Sequence, residues 1–380
     1  MTSEILEKAE SWISSHNGET LELLDALCRI PAPSGKEEKR AEFCKRWLEN
    51  IGARGVFIDG ALNVVFPYCD DGGELTAVLT HTDTVFPDLE PFDVVKDGNV
   101  WRCPGIGDNT VHVAQQLMTV KFILENGIKP EKGGMLFVCD SCEEGLGNLK
   151  GVKEIVMNYG KRLKCFIAVD GVYPNIAVRS VGSKRFRVEV RTEGGHSFGK
   201  FGNKNAIHLL SEIITELYKM QVPVIEGRKT TFNVGTISGG TSVNTIAQQA
   251  EMLFEFRSDD RKGLEIMEKQ FNAILDGAKQ RGVDLSCEIV GERPCSGEID
   301  KDKMEELVAR MTKTMKKYTD LPIHYRSGST DCNIPSSVGI PSVCIGGYHG
   351  AGAHTREEYI DITSVETGSK IVADAILSCM

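Results

Sequence analysis

The sequence has no apolar run near the roughly 18 residues needed to cross a bilayer, so a membrane span is not expected. It has no excess of basic residues either. The formal net charge is -10, which argues against nucleic acid or an anionic membrane surface as a partner, since both select a basic face. The N-terminal stretch MTSEILEKAESW is acidic and amphipathic and carries neither a basic segment nor an apolar core, so a secretory signal is not expected and the cytoplasm is the default location. There is no second CxxC to complement Cys139 and Cys142, which removes a zinc ribbon, and the two glutamates that follow would oppose thiolate formation in a redox motif. The twelve cysteines are scattered singly, several inside apolar runs, and read as reduced core thiols. Tandem repeats and low-complexity tracts are also missing.

What is present is an ordinary globular composition, 41% apolar and 26% charged, in a chain of 380 residues, long enough for two domains. Residues 1–30 carry an apolar stripe at helical spacing. Ser34 and Glu37 form a capping-box pattern ahead of Ala41, Cys44, Leu48 and Ile51, with Gly52 as a stop. Short apolar runs at 75–80, 135–139 and 165–169 read as buried strands, and 111–126 reads as a helix between the first two. This alternation predicts an α/β domain with a mostly parallel sheet flanked by helices.

Near Val181 the pattern changes. Residues 184–192 alternate polar and apolar. A helix at about 205–220, strands at TTFNVGTI and AEMLFEFR, a helix at 261–281 and a strand at LSCEIV follow. The order βαββαβ predicts a ferredoxin-like unit at 182–292, inserted between 1–181 and 293–380 of the larger domain. The sheet pattern resumes at PSVCIGG, and a final helix closes the chain.

Polar residues gather where the buried strands stop. The first strand ends in His81-Thr82-Asp83-Thr84, the second runs into Asp140, Glu143 and Glu144, the third ends in Asp170, and the last leads through a Gly-rich stretch to His354. Asp108, in PGIGDNT, precedes a helix. Ligands of open α/β sheets bind beyond the carboxyl ends of the strands, so these groups should meet on one rim. His112, His208, His324 and His349 read instead as ordinary core or surface residues. Two imidazoles with several carboxylates suit a borderline cation such as zinc, and two cations sharing one carboxylate would clamp a hydrolytic centre. Any single one of these residues is weak evidence; their coincidence at successive strand ends is not, because burying so many carboxylates uncompensated is costly.

The segments THTDTVFP, PGIGDNT, SCEEGLGNLKG, AVDG and GAHTREEYI fall in an order and spacing that resemble the M20 metallopeptidase family, over nearly the whole chain. The resemblance implies a zinc-peptidase-like catalytic domain, an inserted lid and dimerisation domain, and a cofactor of two divalent ions, zinc by ligand type, with cobalt or manganese as alternatives. It implies His81 and Asp170 on the first ion, Glu144 and His354 on the second, and Asp108 bridging. Asp83 would fix the His81 tautomer, and Glu143 would be the general base. In the lid it implies His196 as the oxyanion donor, in many members supplied by the second subunit of a homodimer, and Asn244 and Arg257 as holders of the substrate carboxylate.

Two features set this chain apart. Asn109-Thr110 follow the bridging position where the family often has Asp-Lys or Gly-Lys. Position 170 is Asp, as in the aminopeptidase, dipeptidase and tripeptidase branches, where carboxypeptidases and deacylases often carry Glu. The expected activity is therefore amide hydrolysis in di- and tripeptides from the amino end. The alternative is a deacylase or carboxypeptidase that releases an amino acid from an N-acyl or peptidyl amide. A binding protein that had lost catalysis would lack a ligand or the base, and none is missing.

Overall fold

The computed structural model describes residues 3–380. The chain divides into two compact units, one running to Ser180 and resuming at Gly297, the other formed by Val181–Ser296. Residues 1–2 of the expected N-terminal helix lie outside the described residues; the helix itself is Ser3–Cys28.

The first unit is built on a mixed sheet of eight strands. Leu75–His81 lies at its centre, parallel to Gly134–Asp140 on one side and to Leu163–Val169 on the other. Ser342–Ile345 continues the parallel run beyond Leu163–Val169. The first two of these strands are buried along their whole length and the third at all but Lys164, which is why they read as continuous apolar runs and not as alternating ones. Antiparallel pairing enters toward the edges, where Val64–Tyr68 joins Gly134–Asp140 and Asn175–Ser180 joins Ser342–Ile345. Helices Ser3–Cys28, Val111–Glu125 and Val365–Leu377 contribute Leu24, Leu27, Leu117, Ile123, Ile371 and Ile376 to one core cluster, while Lys150–Tyr159 packs Val152 and Ile155 into another.

The second unit is an antiparallel sheet of Gly182–Arg191, Thr230–Gly239, Gln249–Ser258 and Asp284–Arg293, with helices Ala206–Leu217 and Arg261–Gln280. Gly182–Arg191 and Gln249–Ser258 are central; Thr230–Gly239 and Asp284–Arg293 form the edges. This is the βαββαβ order. In its core the fully buried Phe271 stacks on Phe254 at 5.1 Å and meets Phe186, tilted, at 4.3 Å.

One expectation fails. Ser34 and Glu37 do not form a capping box: helix Glu38–Asn50 has no side-chain cap. The Ser34 hydroxyl donates instead to Asp83 Oδ2 at 2.6 Å, and Glu37 Oε1 accepts the N–H groups of Gly35 at 2.8 Å and Cys142 at 3.1 Å. Both side chains are drawn to the rim by stronger, charge-assisted partners than a helix terminus offers.

From the same helix, the buried Arg40 guanidinium ties four segments together. It donates to Leu27 O at 3.1 Å, Ile30 O at 2.6 Å, Thr82 O at 2.8 Å and Thr110 Oγ1 at 3.3 Å. Two of these acceptors flank the residues at the strand end and in the Asp108 loop. Replacing Arg40 with Met leaves buried acceptors without donors, and urea unfolding followed by circular dichroism should show a loss of about 2–4 kcal/mol.

Candidate metal centre

The parallel strands bring their carboxyl ends to one rim, where His81 pairs in register with Asp140. His81 is buried, and its ring is held at both nitrogens. Nδ1 lies 3.1 Å from Asp83 O and 3.3 Å from Asp83 Oδ1; Nε2 lies 3.1 Å from Asp108 Oδ1. Asp83 is itself fully buried, yet its carboxylate accepts the N–H groups of Glu143 and Glu144, each at 3.0 Å, as well as the Ser34 hydroxyl. Burial opposes its ionisation, but the contacts from His81 and Ser34 hold its carboxyl below the usual range. Asp83 thus fixes the ring of His81 and the backbone of the Glu143-Glu144 turn at once.

Asp108 occupies the middle of the cluster. Its Oδ1 faces His81, and its Oδ2 lies 3.1 Å from His354 Nε2, which is also 3.0 Å from Glu144 Oε1. His81, Asp108 and Glu144 offer donor atoms within 4.8 Å of one another, a group able to hold a divalent ion. Burial penalises charge on Asp108, but the two imidazoles keep its carboxyl well below the ordinary value. In return, the hydrogen bonds to Asp108 and Glu144 push His354 up to about 11. Asp170 follows the Leu163–Val169 strand; burial and repulsion from Asp108 push it up to about 7. The donor set fits divalent cations, because carboxylates crowded this closely call for positive charge and the imidazoles supply nitrogen donors beside them.

The loop bearing Asp108 is held from beneath by Glu358, a residue missed in the sequence because its role depends on backbone donors far away. Its Oε1 accepts the N–H groups of Gly107 and Asp108, and its Oε2 that of Gly105, each at 2.8 Å. Glu358 comes close because a small sheet pairs Tyr359–Asp361 with Val100–Arg102, in strands too short to leave a periodicity. Gly105 turns the loop at a φ of 75°, where a Cβ would also strike Thr84. The two unusual residues after Asp108 serve the loop as well: Asn109 Nδ2 donates to Val169 O at 3.0 Å, and the Thr110 hydroxyl to Gly105 O at 2.5 Å.

Asp140, at the end of its strand, takes a different partner from the carboxylates around it. Asp331 is buried near it; burial raises Asp140 to about 8, and burial with the charge of Asp140 lifts Asp331 well above the carboxylate range. Asp331 carried no signal in the sequence. Glu143 is buried on the turn whose amide Asp83 anchors.

In the second unit, His196 and Asn244 come together. His196 pairs with Thr245, and Ser197 N donates to Asn244 O at 2.9 Å. The His196 Nδ1 accepts the N–H groups of Phe198 and Gly199, each at 3.3 Å. An acceptor Nδ1 leaves the proton of the neutral ring on Nε2, so the exposed edge of the ring is a donor. The Asn244 Oδ1 accepts the Ser242 hydroxyl at 2.8 Å. Arg257 is not brought to this pair. It lies eight positions along the strand from Gln249 (257 − 249), roughly 26 Å at the rise of an extended chain. Its guanidinium is engaged by Glu255, with Nε to Oε1 at 2.8 Å.

Residues 178–283 match the family model described as a peptidase dimerisation domain. Over 366 residues the chain is 26% identical to succinyl-diaminopimelate desuccinylase of Corynebacterium glutamicum, covering 92% of this chain and 93% of that one. Among solved structures, a tripeptidase of Staphylococcus aureus superposes with a TM-score of 0.77 at 21% identity, covering 96% of this chain and 98% of its own. A dipeptidase of Saccharomyces cerevisiae also gives 0.77, at 16% identity, over 100% and 99% of the two chains. At those identities the structural likeness speaks for the fold. The dimerisation-domain match in the second unit, the near full-length relative and the His81-Asp108-Glu144 cluster in the first unit make the chain similar to the M20 metallohydrolases.

Proposed function

We propose that the protein is a dinuclear metal-dependent hydrolase that cleaves amide bonds in di- and tripeptides, acting from the free amino end. The observation that carries this reading is that the two carboxylate oxygens of Asp108 each face a different imidazole, His81 and His354, as a carboxylate shared by two cations would. His81 and Asp170 would hold one ion, Glu144 and His354 the other, with Asp108 between them; the set suits zinc and admits cobalt or manganese. Bound there, the ions would polarise the scissile carbonyl and bring the pKa of a water toward about 7. Asp83 keeps His81 in the tautomer that presents Nε2 to the cluster. The Glu143 carboxylate accepts the proton of the attacking water and passes it to the nitrogen of the departing amine. His196 donates its Nε2 hydrogen to the oxyanion of the tetrahedral intermediate, while Asn244 and Arg257 bind the substrate carboxylate.

Within one chain His196 and Arg257 lie too far apart for one small substrate to touch both. This supports a homodimer through the Val181–Ser296 unit, each active site taking His196 and its neighbour Asn244 from one chain and Arg257 from the other. A second reading, release of an acyl group from an N-acyl amino acid, is favoured by the desuccinylase relative. It keeps the same ligands and base and differs in what the substrate presents at its amino end.

The deciding experiment measures metal content and activity together on free and N-acetylated or N-succinylated dipeptides. About two equivalents of metal per chain should be found; chelation should abolish hydrolysis and zinc should restore it. Preference for free dipeptides supports the peptidase, preference for acylated ones the deacylase, and indifference to chelation overturns both. Glu143→Ala should retain its metal and lose roughly 10³-fold in kcat, the scale of a missing general base. His196→Ala should lower kcat about 10²–10³-fold with little change in KM, whereas an effect confined to KM would reassign it to ground-state binding.

A further inference from the structure

At the amino end of the parallel strands, opposite the carboxylate cluster, the first unit contains a cavity of about 360 Å³ between the Leu163–Val169 strand, helix Lys301–Tyr318 and the last residues of the chain. Two cysteines distant in sequence, Cys165 and Cys379, both line it, and so does Arg310. The two thiols are close enough for each to shift the ionisation of the other, and the Thr76 hydroxyl lies 3.6 Å from Cys165 Sγ. The Arg310 guanidinium is fixed beside them: Nη1 donates to Ser378 O at 2.5 Å and Nη2 to Glu306 Oε1 at 2.9 Å, and it contacts Cys379.

We propose that Cys165 and Cys379 form a redox-active dithiol that a small hydroperoxide reaches through this cavity, Cys379 being the residue that attacks the peroxide and Cys165 the resolving one. The Cys379 sulfur attacks the distal oxygen of the peroxide; the O–O bond breaks, the sulfur becomes a sulfenic acid and the alcohol or water leaves with a proton from solvent. The Cys165 thiol, already in contact, then attacks that sulfur, a disulfide forms and the hydroxyl departs as water. Sulfur is oxidised by two electrons and the peroxide reduced by two.

The chemistry of the two thiols is unequal in the sense this order needs. The contact with Cys165 and the charge of Arg310 bring Cys379 down to about 7 against its burial, while that same contact and burial keep Cys165 a thiol. Cys379 is buried, and the cavity it lines is its route to a small reagent; a cation beside a cysteine sulfur favours its thiolate. Other thiols that meet inside the core are shifted the opposite way. Cys28 beside Cys103 is raised chiefly by burial, and Cys139 by its contact with Cys44 and by burial.

The test is exposure of the native protein to hydrogen peroxide in increasing equivalents, followed by thiol blocking and peptide mapping by mass spectrometry. A Cys165–Cys379 cross-link should appear first and disappear with dithiothreitol. In Cys165→Ser, Cys379 should stop at the sulfenic acid and be trapped by dimedone. In Cys379→Ser, no cross-link should form. Oxidation of the exposed Cys287 ahead of Cys379, or a Cys379 that reacts only after unfolding, would overturn the proposal. None of these readouts depends on hydrolysis.

Discussion

Asp108 stands between two imidazoles, and much of the buried hydrogen bonding around it holds its carboxylate in that place. Glu358 takes the amides of Gly105, Gly107 and Asp108 from below, Asn109 and Thr110 fasten the loop beyond, and Arg40 bonds Thr110 and the end of the His81 strand together. Asp83 plays the matching part on the other side, one carboxylate orienting His81 and fixing the amides of Glu143 and Glu144. Like charges this close would fly apart on flexible loops. They stay together because each loop is pinned by donors that do not belong to the cluster, and this rigidity is what a cation site requires of its protein.

The residues that meet at the rim were legible in the sequence for a topological reason. Parallel strands end on the same rim, so polar residues immediately after buried apolar runs converge whatever their separation along the chain. His81, Glu144 and Asp170 follow that rule, and their strands are those whose uniform burial gives the plainest signal. The supporting residues were not legible. Ser34 and Glu37 match a capping box in spacing, yet a buried carboxylate and the amides beside it compete for the same side chains and win. Glu358 and Asp331 act through backbone groups or a partner carboxyl brought near only by tertiary structure. Helix Lys301–Tyr318 and the strand His324–Gly328 went unread, the strand being mostly exposed at a sheet edge and so lacking an apolar run.

The abundance of sulfur near the rim poses a physical question, since thiolates compete with imidazole and carboxylate for borderline cations. Cys142 precedes Glu143, and Cys344 Sγ lies 3.5 Å from Asp170 O. Burial, followed by the charges of Glu37 and Asp83, pushes Cys142 up to about 12. Burial likewise pushes Cys332 up to about 12, and Cys344 is raised well above its ordinary value by burial and Asp170. A thiol that holds its proton is a poor ligand, so burial first, and the neighbouring carboxylates at Cys142 and Cys344 second, disfavour these sulfurs as ligands. The thiol that is lowered instead, Cys379, contacts Cys165, and Cys165 precedes Asp170 by five positions (170 − 165), roughly 17 Å of extended strand. The same strand direction that gathers hard donors at the carboxyl ends therefore keeps the reactive sulfur at the amino end, beyond the reach of a cation held on the rim.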